Sequence, residues 1–296
     1  SPAPGSDKVS PWNNVAIRQG APLDPRSLEA RRISVVGSLS GDHAGKLSLS
    51  SDGMTILFVP DRRYAFGETV RVRLIAGLRT RAGAGLQGFD FEFRVSPVDP
   101  RLMPRPEAER LPDPPPGVTA WWQRPAPPTP ATAGPCDTLL PGFPALSAYA
   151  VAAPNPGVFF VAPFTFGPQN RADFEIMDDR GQPIYERSFS NDAFPVDLKM
   201  HANGRLSYWT NGASKFFVMD SSYAVVDSFT TGNGYLPDLH DIQFLPNGHA
   251  LMLSYDPQPV GMDTVVVGGD PAAIVIGLIV QELDQNHDVV FQGRSW

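Results

Sequence analysis

The sequence predicts an all-β chain: an antiparallel sandwich joined by a proline-rich stretch to an incomplete β-propeller of about three blades. Three observations predict it. Proline and glycine number 32 and 27 among 296 residues, well above the usual combined ~12%, which multiplies turns and disfavours long helices. Short runs such as Thr69-Val70-Arg71-Val72-Arg73-Leu74 alternate polar and apolar residues with the period of a strand. Two landmarks in the second half recur at 42 and 44 residues, the spacing of a four-stranded propeller blade.

The bulk properties set limits. An apolar content of 42% with a net charge of −7 is that of a folded chain rather than a disordered one. The longest apolar run, Ala272 to Val280, is half of the ~18 residues a membrane helix needs, so no span is expected. Residues 1–96 carry a net charge of +4 and residues 136–296 one of −11. The acidic second half argues against a nucleic-acid partner, which requires a basic face. A single cysteine, Cys136, allows neither an internal disulfide nor a cysteine metal cluster. The chain begins Ser1-Pro2 without an apolar leader, as after removal of a signal or from a start inside a longer protein.

The first module spans 10–96. Arg32-Ile33-Ser34-Val35-Val36 and Leu47-Ser48-Leu49-Ser50 are strands, Asp52-Gly53 is a turn, and Thr55 to Pro60, Thr69 to Leu74 and Phe89 to Val95 are further strands. Turn glycines Gly67, Gly83, Gly85 and Gly88 separate the later ones. The stretch Gly41–Asp61, with Phe66-Gly67-Glu68-Thr69-Val70, resembles a bacterial immunoglobulin-like module. Such modules act mostly as spacers and in some cases bind carbohydrate or a partner. His43, in a Gly-bearing turn, is expected to be a solvated loop residue.

Residues 97–145 form a linker or wrapping arm. Fifteen of the 32 prolines fall between 97 and 144, favouring extended polyproline geometry, and Trp121-Trp122 is expected to pin the arm to a domain.

The second module spans 146–296. Asp197-Leu198-Lys199-Met200-His201-Ala202-Asn203-Gly204-Arg205-Leu206 is echoed 44 residues on by Asp241 to Leu251, each reading strand, Asn-Gly turn, strand. Phe174 to Asp178 is echoed at Phe217 to Asp220 and again at Val280 to Asp284. The last interval is longer, and the surplus is assigned to a Gly/Pro-bearing insertion at Asp256–Gly277. About 150 residues at ~42 each make three blades, whereas a closed propeller needs four or more. The expectation is therefore a piece of a longer protein.

The segment Pro237-Asp238-Leu239-His240-Asp241-Ile242-Gln243-Phe244-Leu245-Pro246-Asn247-Gly248-His249, with Val280 to Asp284 and Val289 to Trp296, resembles the arylsulfotransferase family of bacterial propeller proteins. The earlier Asn155 to Phe160 and Met177 to Tyr185 fit its opening blade. The resemblance implies a six-bladed, usually exported protein, without cofactor or metal. It implies transfer of a sulfuryl group from an aryl sulfate to a phenol through a sulfated histidine.

On this resemblance His240 begins an inner strand and faces the central channel. There it either supports the sulfuryl oxygens or proton transfer, or is a hydrogen-bonded structural residue. Asp241 is carried as a substrate-binding residue, or one that orients the strand or turn. The principal nucleophile is expected beyond Trp296, so residues 1–296 alone are expected to be inactive. His201, His249 and His287 read as solvated loop residues, and Arg205 and Arg294 as surface. Asp178, Asp220 and Asp284 recur at equivalent positions and read as turn caps. Tyr208-Trp209 and Phe216-Phe217 read as core between blades. The rival reading is a non-catalytic surface propeller that binds a ligand or partner.

Overall fold

In the first 96 residues, period-two alternation builds two facing sheets. The structure, a computed structural model, describes residues 1–103, 156–162, 172–179, 181–189, 195–210 and 213–296. The arm expected at 97–145, with Trp121-Trp122 and Cys136, therefore falls almost wholly outside the described residues. Strands β1 (Val15–Arg18), β2 (Ile33–Gly37), β3 (Gly41–Asp42), β4 (Gly45–Leu49), β5 (Thr55–Pro60), β6 (Thr69–Leu74) and β7 (Phe89–Arg94) pair in the orders β1-β5-β4 and β3-β2-β6-β7. On β6 the valines and Leu74 are buried while Thr69, Arg71 and Arg73 are exposed, since alternate side chains leave opposite faces. Val15, Ile17, Ile56 and Phe58 from one sheet meet Val35, Val70, Val72 and Phe93 from the other.

A buried carboxylate ties the turns of this module together. Glu68, 1% exposed, accepts hydrogen bonds from the amides of Leu39, Ser40 and Ala65 and from Ser40 Oγ. Burial opposes its ionisation, but these four donors outweigh that and hold the carboxyl below its usual range. Its contribution is present above the unfolded value of 4.5 and is lost as pH falls below it. Glu68→Gln should cost about 2–3 kcal/mol at pH 7, because an amide cannot accept from all four donors. Urea unfolding should show that loss shrinking toward pH 3; a variant as stable as the parent at pH 7 would refute the role.

His43 corrects the expectation of a solvated loop. It is 6% exposed, with Nε2 at 2.7 Å from Ser40 Oγ and its ring edge-on to Tyr64 at 4.8 Å. Burial lowers its pKa. The ring is enclosed by Ser40 and Tyr64, a packing that the neighbouring glycines gave no means of foreseeing.

The second half is a succession of antiparallel sheets. Strands β8 (Val158–Val161), β9 (Ala172–Asp178) and β10 (Pro183–Phe189) pair as β10-β9-β8. Strands β11 (Pro195–Met200), β12 (Leu206–Thr210), β13 (Lys215–Met219) and β14 (Val225–Phe229) form a four-stranded meander. So do β15 (Pro237–Phe244), β16 (Ala250–Val260), β17 (Ala273–Leu283) and β18 (Val289–Arg294). The described residues thus form five antiparallel sheets, none of them closed into a barrel. Among the described residues no helix is long and apolar enough to cross a membrane.

The repeated sequence elements occupy equivalent places. Asn203-Gly204 and Asn247-Gly248 turn β11 into β12 and β15 into β16, with both glycines at positive φ. Asp178, Asp220 and Asp284 each accept from backbone amides of the following hairpin turn, as their recurrence predicts. The insertion expected at Asp256–Gly277 is corrected in form. Its two ends, Asp256–Val260 and Ala273–Gly277, lengthen β16 and β17 into an eleven-residue ladder from Ala250↔Leu283 to Val260↔Ala273, the Ile and Val residues of the second end suiting a pleated surface, and only the residues between them form the connection.

Neighbouring sheets stack face to face. Phe174 and Ile176 pack against Leu198, Leu206, Tyr208 and Met219. On the far side of β11–β14, Trp209, Phe216, Val218 and Phe229 pack against Ile242, Met252, Leu283 and Val289. The aromatic pairs Tyr208-Trp209 and Phe216-Phe217 thus lie in core between sheets, as expected.

The N-terminal sheets pack on the last sheet. Asn14 Nδ2 donates to Val289 O, Gln292 Nε2 to Asn13 Oδ1, Ser96 Oγ to Gln258 Oε1 and the Ser51 amide to Asp284 Oδ2. Ala16, Leu57 and Val290 form a small shared core. This contact covers β18, an edge strand that would otherwise leave backbone groups open to pairing with another chain. Arg294, expected on the surface, is largely enclosed here, with 9% of its side chain exposed. Its guanidinium lies 2.7 Å from the fully buried Asp256 and also donates to the carbonyls of Asp7 and Lys8.

Candidate functional site

The strands β11 and β15, first in their sheets and in contact with each other, carry the chemistry-bearing residues. Both depart from regular pairing, between Val196 and Lys199 and between Pro237 and Ile242, and Asp197 has a φ of 54°. Such bulges re-aim side chains. In β15 the bulge spans Asp238 to Asp241, placing His240 with 70% of its side chain exposed and Asp238 with 6%.

Asp238 fixes His240. One carboxylate oxygen, Oδ1, accepts both the His240 backbone amide at 2.9 Å and Nδ1 at 2.8 Å. An ionised carboxylate only accepts, so Nδ1 carries the proton and Nε2 presents its lone pair outward. A carboxylate behind Nδ1 also holds the ring in one orientation. Position i, i+2 on a strand shares a face; this is the signal by which Asp238-x-His240 could have been noticed in the sequence, where no partner for His240 was expected.

Asp241 faces a second group. Lys199 Nζ bridges Asp197 Oδ2 and Asp241 Oδ1, and Gln243 Nε2 donates to Asp241 Oδ2 at 2.8 Å. Asp197 and Asp241 are the same position of the 44-residue repeat, so Lys199 links two sheets through equivalent carboxylates. Burial raises the pKa of Asp197 despite Lys199. For Asp241 burial also opposes ionisation, but bonds from Lys199 and Gln243 prevail and lower its pKa. Among the described residues no three His, Cys, Asp or Glu side chains gather as a metal site.

The other histidines divide. His201 and His249 correct the solvated-loop expectation. His201 is half-buried, with Nε2 at 2.7 Å from Ser207 Oγ and its ring edge-on to Phe244. Burial, with Lys199 nearby, pushes its pKa down to about 4, so it is neutral at pH 7. His249 is fully buried between Glu282, 2.7 Å from Nδ1, and Ser51 Oγ. Both follow from packing between sheets, which an Asn-Gly flank does not disclose. His287 stays in an outer turn beside Asp227, and Arg205 is exposed, as expected.

Against known proteins, no family model matches the chain, and no curated protein matches it. Among solved structures, the N-terminal part of the bacterial S-layer protein SbsC aligns over 98% of this chain and 42% of its own, at 10% identity and a TM-score of 0.28. Domains 1–6 of the surface layer protein SbsC align over 96% and 45%, at 12% identity and a TM-score of 0.28. The chain thus spans less than half the length of the structures it matches. At those scores the likeness carries no argument about activity.

Proposed function

We propose that residues 10–96 are an immunoglobulin-like module and residues 146–296 are blades of an arylsulfotransferase-like propeller. In this reading the intact protein is exported and moves a sulfuryl group from an aryl sulfate to a phenol without a cofactor. The supporting observation is the Asp238–His240 pair: a histidine on the first strand of its sheet, oriented through Nδ1 and offering Nε2 to whatever lies over that strand.

The chemistry asks for such a group. As the sulfur–oxygen bond of the aryl sulfate breaks, a nitrogen–sulfur bond forms on a nucleophilic histidine and the phenolate leaves; a phenol then takes the sulfuryl group in reverse. His240 supports this cycle rather than carrying the sulfuryl group. Protonated at Nε2, it donates to a sulfuryl oxygen or the leaving phenolate; neutral, it accepts the incoming phenol's proton. Asp241 serves by holding Lys199.

The test is phenolate release from an aryl sulfate in the presence of a second phenol, with the longest natural polypeptide carrying this sequence. His240→Ala should lower turnover about 100-fold and Asp238→Asn about 10- to 100-fold. No release above a protein-free blank, or equal rates for both variants and the parent, would refute the reading. One observation favours the rival, a non-catalytic surface propeller. Asp238, Asp197 and Asp241 surround His240 and Lys199 with more negative than positive charge, a poor match for an anionic donor and a better one for a cationic partner.

A further inference from the structure

The stacking of sheets is directional, and its last face is open. In β11–β14 the cross-strand pair Trp209↔Phe216 is buried, 6% and 0% exposed, against β15–β18. In the repeat, Trp209 falls 44 residues before Leu253, and Phe216 lies four residues before Asp220 as Val280 does before Asp284. Leu253 and Val280 are likewise cross-strand partners, yet they are 40% and 37% exposed.

The same face of β17 continues through Leu278, Ile276 and Ile274, at 55%, 40% and 40%, and Phe291 of β18 adds 48%. These side chains expose several hundred square ångströms of contiguous apolar surface, at the upper end of what a monomer shows. A second feature points the same way. Lys199 reaches from β11 to Asp241 of the next sheet, and its repeat equivalent, Gln243, stands exposed on β15.

We propose that the Leu253/Val280/Leu278 face of β15–β18 is the docking face for a further four-stranded sheet of the same repeat. It would receive that sheet as β11–β14 receives β15–β18. The facing residues would be apolar at the positions of Ile242, Met252, Leu283 and Val289, with an acidic or amide side chain on the first strand to meet Gln243. This rests on the propeller reading of the sheets and not on sulfuryl transfer.

The test appends residues 230–296 once more after Trp296, with Ile274→Thr, Ile276→Thr, Leu278→Thr and Val280→Thr in the appended copy only. The probe is a dye that fluoresces on exposed apolar surface. The parent should bind it; Leu278→Lys in the parent should lower the signal severalfold with an unchanged far-ultraviolet spectrum. The extended chain should be monomeric, bind correspondingly less dye and melt about 5 °C higher, and Leu278→Lys in its first copy should abolish that rise. An extended chain with the parent's dye signal and midpoint overturns the proposal. So does a parent signal that Leu278→Lys leaves unchanged, or a parent dimer that Leu278→Lys dissociates, which would assign the face to a second copy. Docking without phenolate release leaves this proposal standing and counts only against the sulfuryl reading.

Discussion

Replacing Arg294 with methionine should lower the stability of the chain by about 3–5 kcal/mol, the usual cost of stranding one partner of a buried ion pair. Among the described residues Arg294 is the one cation paired with Asp256, whose side chain is fully buried while that of Arg294 is 9% exposed. Gln258 Nε2 gives Asp256 one further hydrogen bond, too little to solvate a charge. The same guanidinium holds the carbonyls of Asp7 and Lys8, so the substitution also loosens the N-terminal segment from β18. Removing both charges, as Arg294→Met with Asp256→Leu, should recover most of the loss, since the desolvation cost of the stranded carboxylate disappears with it. Denaturant unfolding at pH 7 measures both. A single variant within about 1 kcal/mol of the parent would show that the pair contributes little beyond what an apolar contact supplies.

Glu175 sets the second large expectation. It lies on β9 directly opposite Glu186 of β10, fully buried, and among the described residues neither of its carboxyl oxygens has a hydrogen-bond partner. Burial first, and then the Glu186 charge, push its pKa up from 4.5 to about 7. Below pH 4.5 folded and unfolded chains both carry the proton and the residue costs nothing. Between 4.5 and 7 the unfolded chain releases it more readily, so stability falls as pH rises and the full cost stands above 7. That cost is about 3 kcal/mol. Glu175→Gln should flatten the decline between pH 5 and 8 and leave the variant more stable than the parent at pH 8. Parallel stability curves for the two proteins over that range would rule out the raised pKa.

Period-two alternation made β6 legible to the residue, and the Asn-Gly turns and recurring aspartates made the hairpins of the second half legible in position and role. The candidate site was legible only in part. His240 stands out by its segment, but its partner Asp238 and the Lys199 bridge depend on two bulges, and bulges are set by how a strand meets its neighbours. The insertion shows the same limit: glycine and proline marked a break between strands, while cross-strand partners between β16 and β17 drew its two ends into a ladder.

The sequence by itself determined that this chain is all-β, where its hairpins turn and which faces of its strands are apolar, because those depend on local backbone preference and side-chain alternation. Tertiary structure alone decided which charged and imidazole groups are buried. His43, His201, His249 and Arg294 carry ordinary surface sequence signatures and are enclosed or half-enclosed only because another sheet or module packs on them. Burial of a polar group is a property of what arrives over it, and that arrives from far away in the chain.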